Sequence, residues 1–168
     1  MLQKKIEEAL NEQVNAEMWS AYLYLSMSLH FEFEGRRGLA NWFKIQFQEE
    51  QAHALALMDY LNARNAKVEL KPIAEVPNSW ESPKAAFEAT LEHEKKVTAM
   101  INNLYAMAED AKDFATRQKL NTFIAEQVEE EETVRQIIDD LNLIGEDGTG
   151  LLQIDRELGT RTYTAPQL

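Results

Sequence analysis

Glu50 and His53 stand three residues apart in the stretch Phe47-Gln48-Glu49-Glu50-Gln51-Ala52-His53-Ala54-Leu55-Ala56-Leu57. Apolar residues recur around them at helical spacing, at Phe43, Phe47, Ala54, Leu57 and Leu61, which marks the buried stripe of a long helix. The carboxylate and the imidazole fall on that stripe, where Leu or Ile is expected, and point the same way. Burying a lone carboxylate is costly unless a cation or a donor meets it. A Glu-x-x-His pair facing into a helix bundle is a known way to hold paired metal ions. Matching ligands should then stand on the other helices.

Those helices are legible from periodicity and punctuation. The first is expected from about Leu2 to Phe33, with a stripe through Ile6, Leu10, Val14, Glu17, Ala21, Tyr24, Ser28 and Phe31. Gly35-Arg36-Arg37-Gly38 makes a tight turn that forces the second helix, about Leu39 to Arg64, to pack antiparallel. Residues Asn65 to Glu81, with Pro72 and Pro77, lack a helical period and read as an extended crossover. Ser82-Pro83 restarts a helix, Ser as N-cap and Pro in the first turn. This third helix carries Phe87, Leu91, Glu94, Thr98, Ile101, Tyr105 and Ala108. After a break near Asp110 to Asp113, the fourth carries Leu120, Phe123, Ile124, Gln127, Glu130, Val134, Ile137, Ile138 and Leu141 and stops at Gly145. Gly148-Thr149-Gly150 then precedes a short amphipathic helix, Leu151 to Leu158, and a Thr-rich tail expected to be mobile. The expected fold is all-α: two short hairpins joined by one long crossover, an up-down-down-up four-helix bundle with a short fifth helix.

The two hairpins echo each other at an offset of 77 residues, which relates Glu17 to Glu94, Glu50 to Gln127 and His53 to Glu130. Leu10 with Phe87, Val14 with Leu91, Phe43 with Leu120 and Phe47 with Ile124 keep the same offset. A pseudo-twofold bundle would bring these polar residues to one depth.

Carboxylate oxygens with one imidazole suit Fe(II), Mn(II) or Zn(II). One ion would take Glu17, Glu50 and His53, and a second would share Glu50 as a bridge and add Glu94 and Glu130. Gln127 stands where a symmetric site would carry a second Glu, so its amide is expected to hydrogen-bond a ligand and leave the second ion less firmly held. That asymmetry suits a metal that passes through. Glu49, Glu126 and Glu129, each one residue off the stripe, would form with Glu130 a third and weaker site leading off the bundle. Tyr24, two turns from Glu17, is placed to donate an electron or a hydrogen bond. Glu109, Asp110 and Asp113 read as helix caps before an ion-entry pore.

The net charge of -12 draws cations and disfavours nucleic acid or an anionic membrane as partner. Without cysteine, disulfides and thiolate metal sites are excluded. No apolar run approaches a membrane span, and the first residues lack the apolar core of a signal peptide. A cytoplasmic protein is expected.

From Leu2 to about Leu158 the chain resembles the non-haem bacterial ferritins. The motifs are Leu10-Asn11-Glu12-Gln13 leading to Glu17, Gln48-Glu49-Glu50 with His53, and His93-Glu94. They continue with Glu126-Gln127, Glu129-Glu130, Gly150-Leu151, Ile154-Asp155 and Glu157-Leu158. The resemblance implies a hollow cage of twenty-four subunits that oxidises Fe(II) with O2, or with H2O2, and stores ferric mineral. It implies that Glu17, Glu50 and His53 bind the first iron and that Glu50, Glu94 and Glu130 bind the second, with Gln127 beside it. It assigns Glu49, Glu126, Glu129 and Glu130 to the third site and Tyr24 to the tyrosine. It divides the chain into a di-iron bundle (1–145), a helix at the cage fourfold axis (146–159) and a flexible tail (160–168). No haem is expected, because bacterioferritin-type binding needs a Met after the bridging Glu and this chain has Gln51 followed by Ala52. Where some relatives carry Trp before the fourth-helix ligands, Thr122 stands here. The alternatives are a di-metal oxidase or peroxidase that does not store iron, and a structural four-helix module with vestigial acids.

Overall fold

The structure is a computed structural model that describes residues 2–168. Among them five helices form: α1 (Lys4–Phe33), α2 (Arg37–Ala63), α3 (Pro83–Asp110), α4 (Phe114–Ile144) and α5 (Gly148–Leu158). The ends of the long helices are set by local chemistry. α1 closes where Gly35 adopts a φ of +75°, with Arg36 N–H donating to Phe31 O and Gly35 N–H to Glu32 O. The same double closure ends α2 at Asn65 and α3 at Lys112, both with positive φ. At the other ends, Ser82 Oγ accepts Ala85 N–H and Asp113 accepts Thr116 N–H, side-chain caps of the kind the sequence suggested. Asp113 also takes a two-pronged ion pair from Arg64 at 2.9 and 3.0 Å, so this acid is occupied as a cap.

Helix α5 begins three residues earlier than expected. Asp147 accepts the N–H groups of Thr149 and Gly150, and that cap recruits Gly148-Thr149-Gly150 into the first turn. α5 lies against the start of α2, where Asp155 Oδ1 accepts Leu39 N–H at 2.9 Å. Gly38 makes the approach possible, since a Cβ there would lie 1.5 Å from the Asp155 carbonyl oxygen.

The long crossover is extended and tied to α1 by two asparagines. Asn11 accepts Glu69 N–H at 2.7 Å and donates to Lys67 O at 2.9 Å. Asn15 repeats the pattern one step along, accepting Lys71 N–H and donating to Glu69 O. Two side chains thus satisfy backbone that has no strand partner.

The core falls into two apolar clusters. One joins the C-terminal half of α1, the N-terminal halves of α2 and α3 and the C-terminal half of α4, around Phe31, Phe43 and Phe87. In it Phe43 stacks on Phe31 at 5.6 Å and on Phe87 at 5.0 Å. The other joins the opposite halves, with Ile6, Leu10, Leu57, Ile101, Leu104, Leu120 and Phe123. That partition fixes the directions as up, down, down, up. It also places residues offset by 77 at opposite ends, Leu10 in one cluster and Phe87 in the other, as a twofold perpendicular to the bundle requires. What lies between the clusters, on the pseudo-axis, is polar.

Candidate metal centre

Glu17 on α1, Glu50 and His53 on α2, Glu94 on α3, and Gln127 and Glu130 on α4 are all buried, none more than 8% exposed. Each stands on an apolar stripe, so the folding that buries Leu10, Leu57, Ile101 and Leu120 carries these groups inward with it. The cost is an ionisable layer held out of water.

Glu17, Glu50 and His53 each bring one ligand atom within 4.8 Å of the others, and among the described residues they are the only such group of three. His53 Nδ1 lies 3.5 Å from Glu50 Oε2. Gln13 donates to Glu17 Oε1 at 2.8 Å and fixes that carboxylate. Glu17 Oε2, Glu50 Oε2 and His53 Nε2 are buried with no hydrogen-bond partner among the described residues. Buried polar atoms are rarely left so. Two carboxylate oxygens and an imidazole converging on one spot are a donor set that a divalent ion completes.

The other half of the layer is differently prepared. Tyr24 donates its hydroxyl to Glu94 Oε1. Gln127 donates to Glu94 Oε2 at 3.0 Å, so both oxygens of that carboxylate already have partners. Gln46 donates to Glu130 Oε2 at 2.9 Å. An ion at Glu50, Glu94 and Glu130 must share or displace these donors, whereas one at Glu17, Glu50 and His53 meets open atoms.

Electrostatics follow from burial. Desolvation holds the Glu17 and Glu50 carboxyls well above the usual carboxylate range, with the Glu50 charge acting on Glu17 and the Glu94 and Glu130 charges on Glu50. Burial, then the Glu94 and Glu49 charges, push Glu130 up to about 8. Glu94 is raised by burial against the opposing hydrogen bonds from Tyr24 and Gln127, and Tyr24 is raised by burial and by the Glu94 charge. Without ions the layer therefore retains protons, and a bound dication would release them.

The residues named for a third site are more scattered. Glu49 and Glu126 are half-buried and Glu129 is exposed, and they do not converge as the first three do. Glu49 is already paired, with Arg161 of the C-terminal tail at 2.6 Å. His93 accompanies Glu94 on α3 and lies 2.7 Å from Ser20 Oγ; burial lowers its pKa to about 4. Trp42 and Phe43 are core. Gln46 and Arg161 were not singled out in the sequence, and Gln13 stood there only as the end of the Leu10-Asn11-Glu12-Gln13 motif, with no role assigned. Gln13 precedes Glu17 by four residues, and Gln46 precedes Glu50 by four, so the signal was stripe spacing. Arg161 gave no such signal.

Comparison with known proteins adds an independent line. The family model described as a ferritin-like domain matches residues 7–144. A bacterial non-heme ferritin of Bacteroides fragilis (strain 638R) is 44% identical over 161 residues, covering 96% of this chain and 100% of that one. One from Staphylococcus aureus (strain MRSA252) is 37% identical over 163 residues, covering 97% and 98%. Among solved structures, a closed form of the Archaeoglobus fulgidus ferritin engineered by site-directed mutagenesis superposes with a TM-score of 0.96 at 47% identity, covering 98% of this chain and 100% of that chain. A buried acid layer between two apolar clusters, the Glu-x-x-His on α2 and likeness along nearly the whole chain agree: this chain belongs to the ferritin-like domain family, among the bacterial non-haem ferritins.

Proposed function

We propose that this chain is an iron-storing ferroxidase that oxidises Fe(II) to Fe(III) with O2 at the buried acid layer and passes the product to a mineral store. The observation that carries the reading is the convergence of one ligand atom each from Glu17, Glu50 and His53, with Glu17 Oε2 and Glu50 Oε2 left without a hydrogen-bond partner, in a buried layer between two apolar clusters. Iron is here the substrate. Glu17, Glu50 and His53 hold the first Fe(II), and Glu50 bridges to a second held by Glu94 and Glu130. Gln127 and Tyr24 orient Glu94 through their hydrogen bonds, and the Tyr24 phenol is positioned to supply an electron. The carboxyls that burial keeps protonated give up their protons on ion binding, and as carboxylates they favour the ferric product. Glu49, Glu126 and Glu129, beside Glu130, form the weaker exit site. Bridging acidity and dry walls do the positioning, and the iron supplies the redox chemistry.

The assembly belongs to the same proposal: a cytoplasmic homo-oligomeric cage of twenty-four chains, the bundle of residues 1–145 forming its wall and α5 lining the fourfold axis. The exposed apolar side chains of α1 and the crossover give such an assembly something to bury. Rapid-mixing oxidation of Fe(II) tests the catalytic reading. Glu50→Ala and His53→Ala are expected to slow the fast phase on the order of 100-fold or more while the protein still folds. Fast phases of unchanged rate in both variants would remove the assigned centre.

A further inference from the structure

After α5 the chain turns back along α2. Asn41 Nδ2 donates to Leu158 O at 3.3 Å and to Arg161 O at 3.0 Å, which fixes the backbone of this return. The Arg161 side chain then reaches Glu49: Nη2 lies 2.6 Å from Glu49 Oε2, and the guanidinium carbon sits 4.8 Å over the Trp42 ring. The pair is largely enclosed, with side-chain exposures of 25% and 17%. Glu49 is the residue before the bridging Glu50, and its charge is felt by Glu130.

We propose that the Arg161 guanidinium is a resident, displaceable cation at the third site, and that its pairing with Glu49 sets the affinity of that site for a divalent ion. The inference rests on the reading of Glu49, Glu126, Glu129 and Glu130 as that site. A monovalent cation on Glu49 removes one of the charges a dication needs, and a dication must first break a charge-assisted hydrogen bond and a cation–π contact. The guanidinium has somewhere to go. Arg161 lines a cleft of about 290 Å³ between α4 and α5 that also presents Asp140 and Glu157. Swung into that cleft it meets acids again, so release from Glu49 does not strand a charge. Arg161 is thus a positioning residue: it touches no iron, and it decides when Glu49 becomes a ligand.

The test is calorimetric titration of the assembled protein with Zn(II), which binds without redox chemistry. The parent chain is compared with Arg161→Ala, Arg161→Lys, Glu49→Gln and the double variant Arg161→Ala/Glu49→Gln. The expected result is a weak third binding event in the parent that Glu49→Gln removes. Arg161→Ala should tighten that event about tenfold, about 1.4 kcal/mol, with Arg161→Lys in between and the double variant lacking it. A third event that Glu49→Gln removes but Arg161→Ala leaves at the same affinity would overturn the role of Arg161 and keep the third site. Absence of any third event in parent and Arg161→Ala alike would overturn the third-site reading itself. A tail anchor with no such role would change the melting temperature and leave the third-event affinity untouched.

Discussion

Each acid of the central layer has an environment that decides its duty. Glu17 and Glu50 keep one oxygen open, whereas Glu94 is held by Tyr24 and Gln127 and Glu130 by Gln46. Stripe position alone identified the acids, because a charged residue among Leu and Phe stands out against its neighbours. It did not identify Gln13 and Gln46, since a neutral amide on a helix looks ordinary until the acid it serves is seen. The raised carboxyls have a consequence for the ion-free protein. Burial lifts the folded pKa of Glu130 to about 8, well above the ordinary carboxylate range. Its contribution to stability is fully present below the unfolded pKa and is lost as pH rises through about 8; Glu17 and Glu50 shift in the same direction. The chelated protein should therefore melt at progressively lower temperature between pH 5 and pH 9. Glu130→Gln should flatten part of that slope and stabilise the ion-free fold at pH 9 by on the order of 1–3 kcal/mol. A melting profile parallel to the parent would show that Glu130 is not held neutral by burial.

At the scale of the elements, the boundaries that chemistry marks were the readable ones. Ser82-Pro83 and Asp113 start helices, Gly35 ends one, and the expected ends of α1 to α4 differ from those observed by about two residues. The start of α5 was misplaced because a glycine pair reads as a breaker, while the Asp147 cap that overrides it depends on three-dimensional geometry. The return of the tail was unreadable for a plainer reason: Arg161 and Glu49 are 112 residues apart, and no periodicity links them. The tail is tied to α2 at Asn41 and Glu49, and Leu168 packs against the second apolar cluster. Gly38 is the most exacting position of this docking. Alanine there gains up to about 1 kcal/mol of helix propensity but drives a methyl into the Asp155 backbone, and overpacking of this kind costs about 1–3 kcal/mol. Gly38→Ala should lower the melting temperature and expose the α5–α2 junction to faster amide exchange at Leu39, with the central layer unaffected. Unchanged protection at Leu39 would mean that α5 docks by another contact.

The whole molecule leaves an apolar strip uncovered. Tyr22, Leu29 and Phe33 lie along one face of α1, Phe33 at 93% exposure, and Leu70 and Ile73 of the crossover are also exposed. An exposed apolar strip of this extent on a chain with a net charge of -12 marks a surface that another one covers, and two copies meeting face to face would bury it symmetrically. Leu29→Glu combined with Phe33→Glu should shift light scattering from a cage to small species while each chain remains helical; a full-sized assembly would contradict the use of this face. Everything about function nonetheless turns on whether ferrous ions enter the buried layer. The most direct measurement is anomalous diffraction at the iron edge from crystals soaked anaerobically in Fe(II). Two maxima per chain are expected, the stronger among Glu17, Glu50 and His53 and the weaker between Glu50, Glu94 and Glu130. Iron found only on surface acids, with the central layer dark, would contradict the proposed centre.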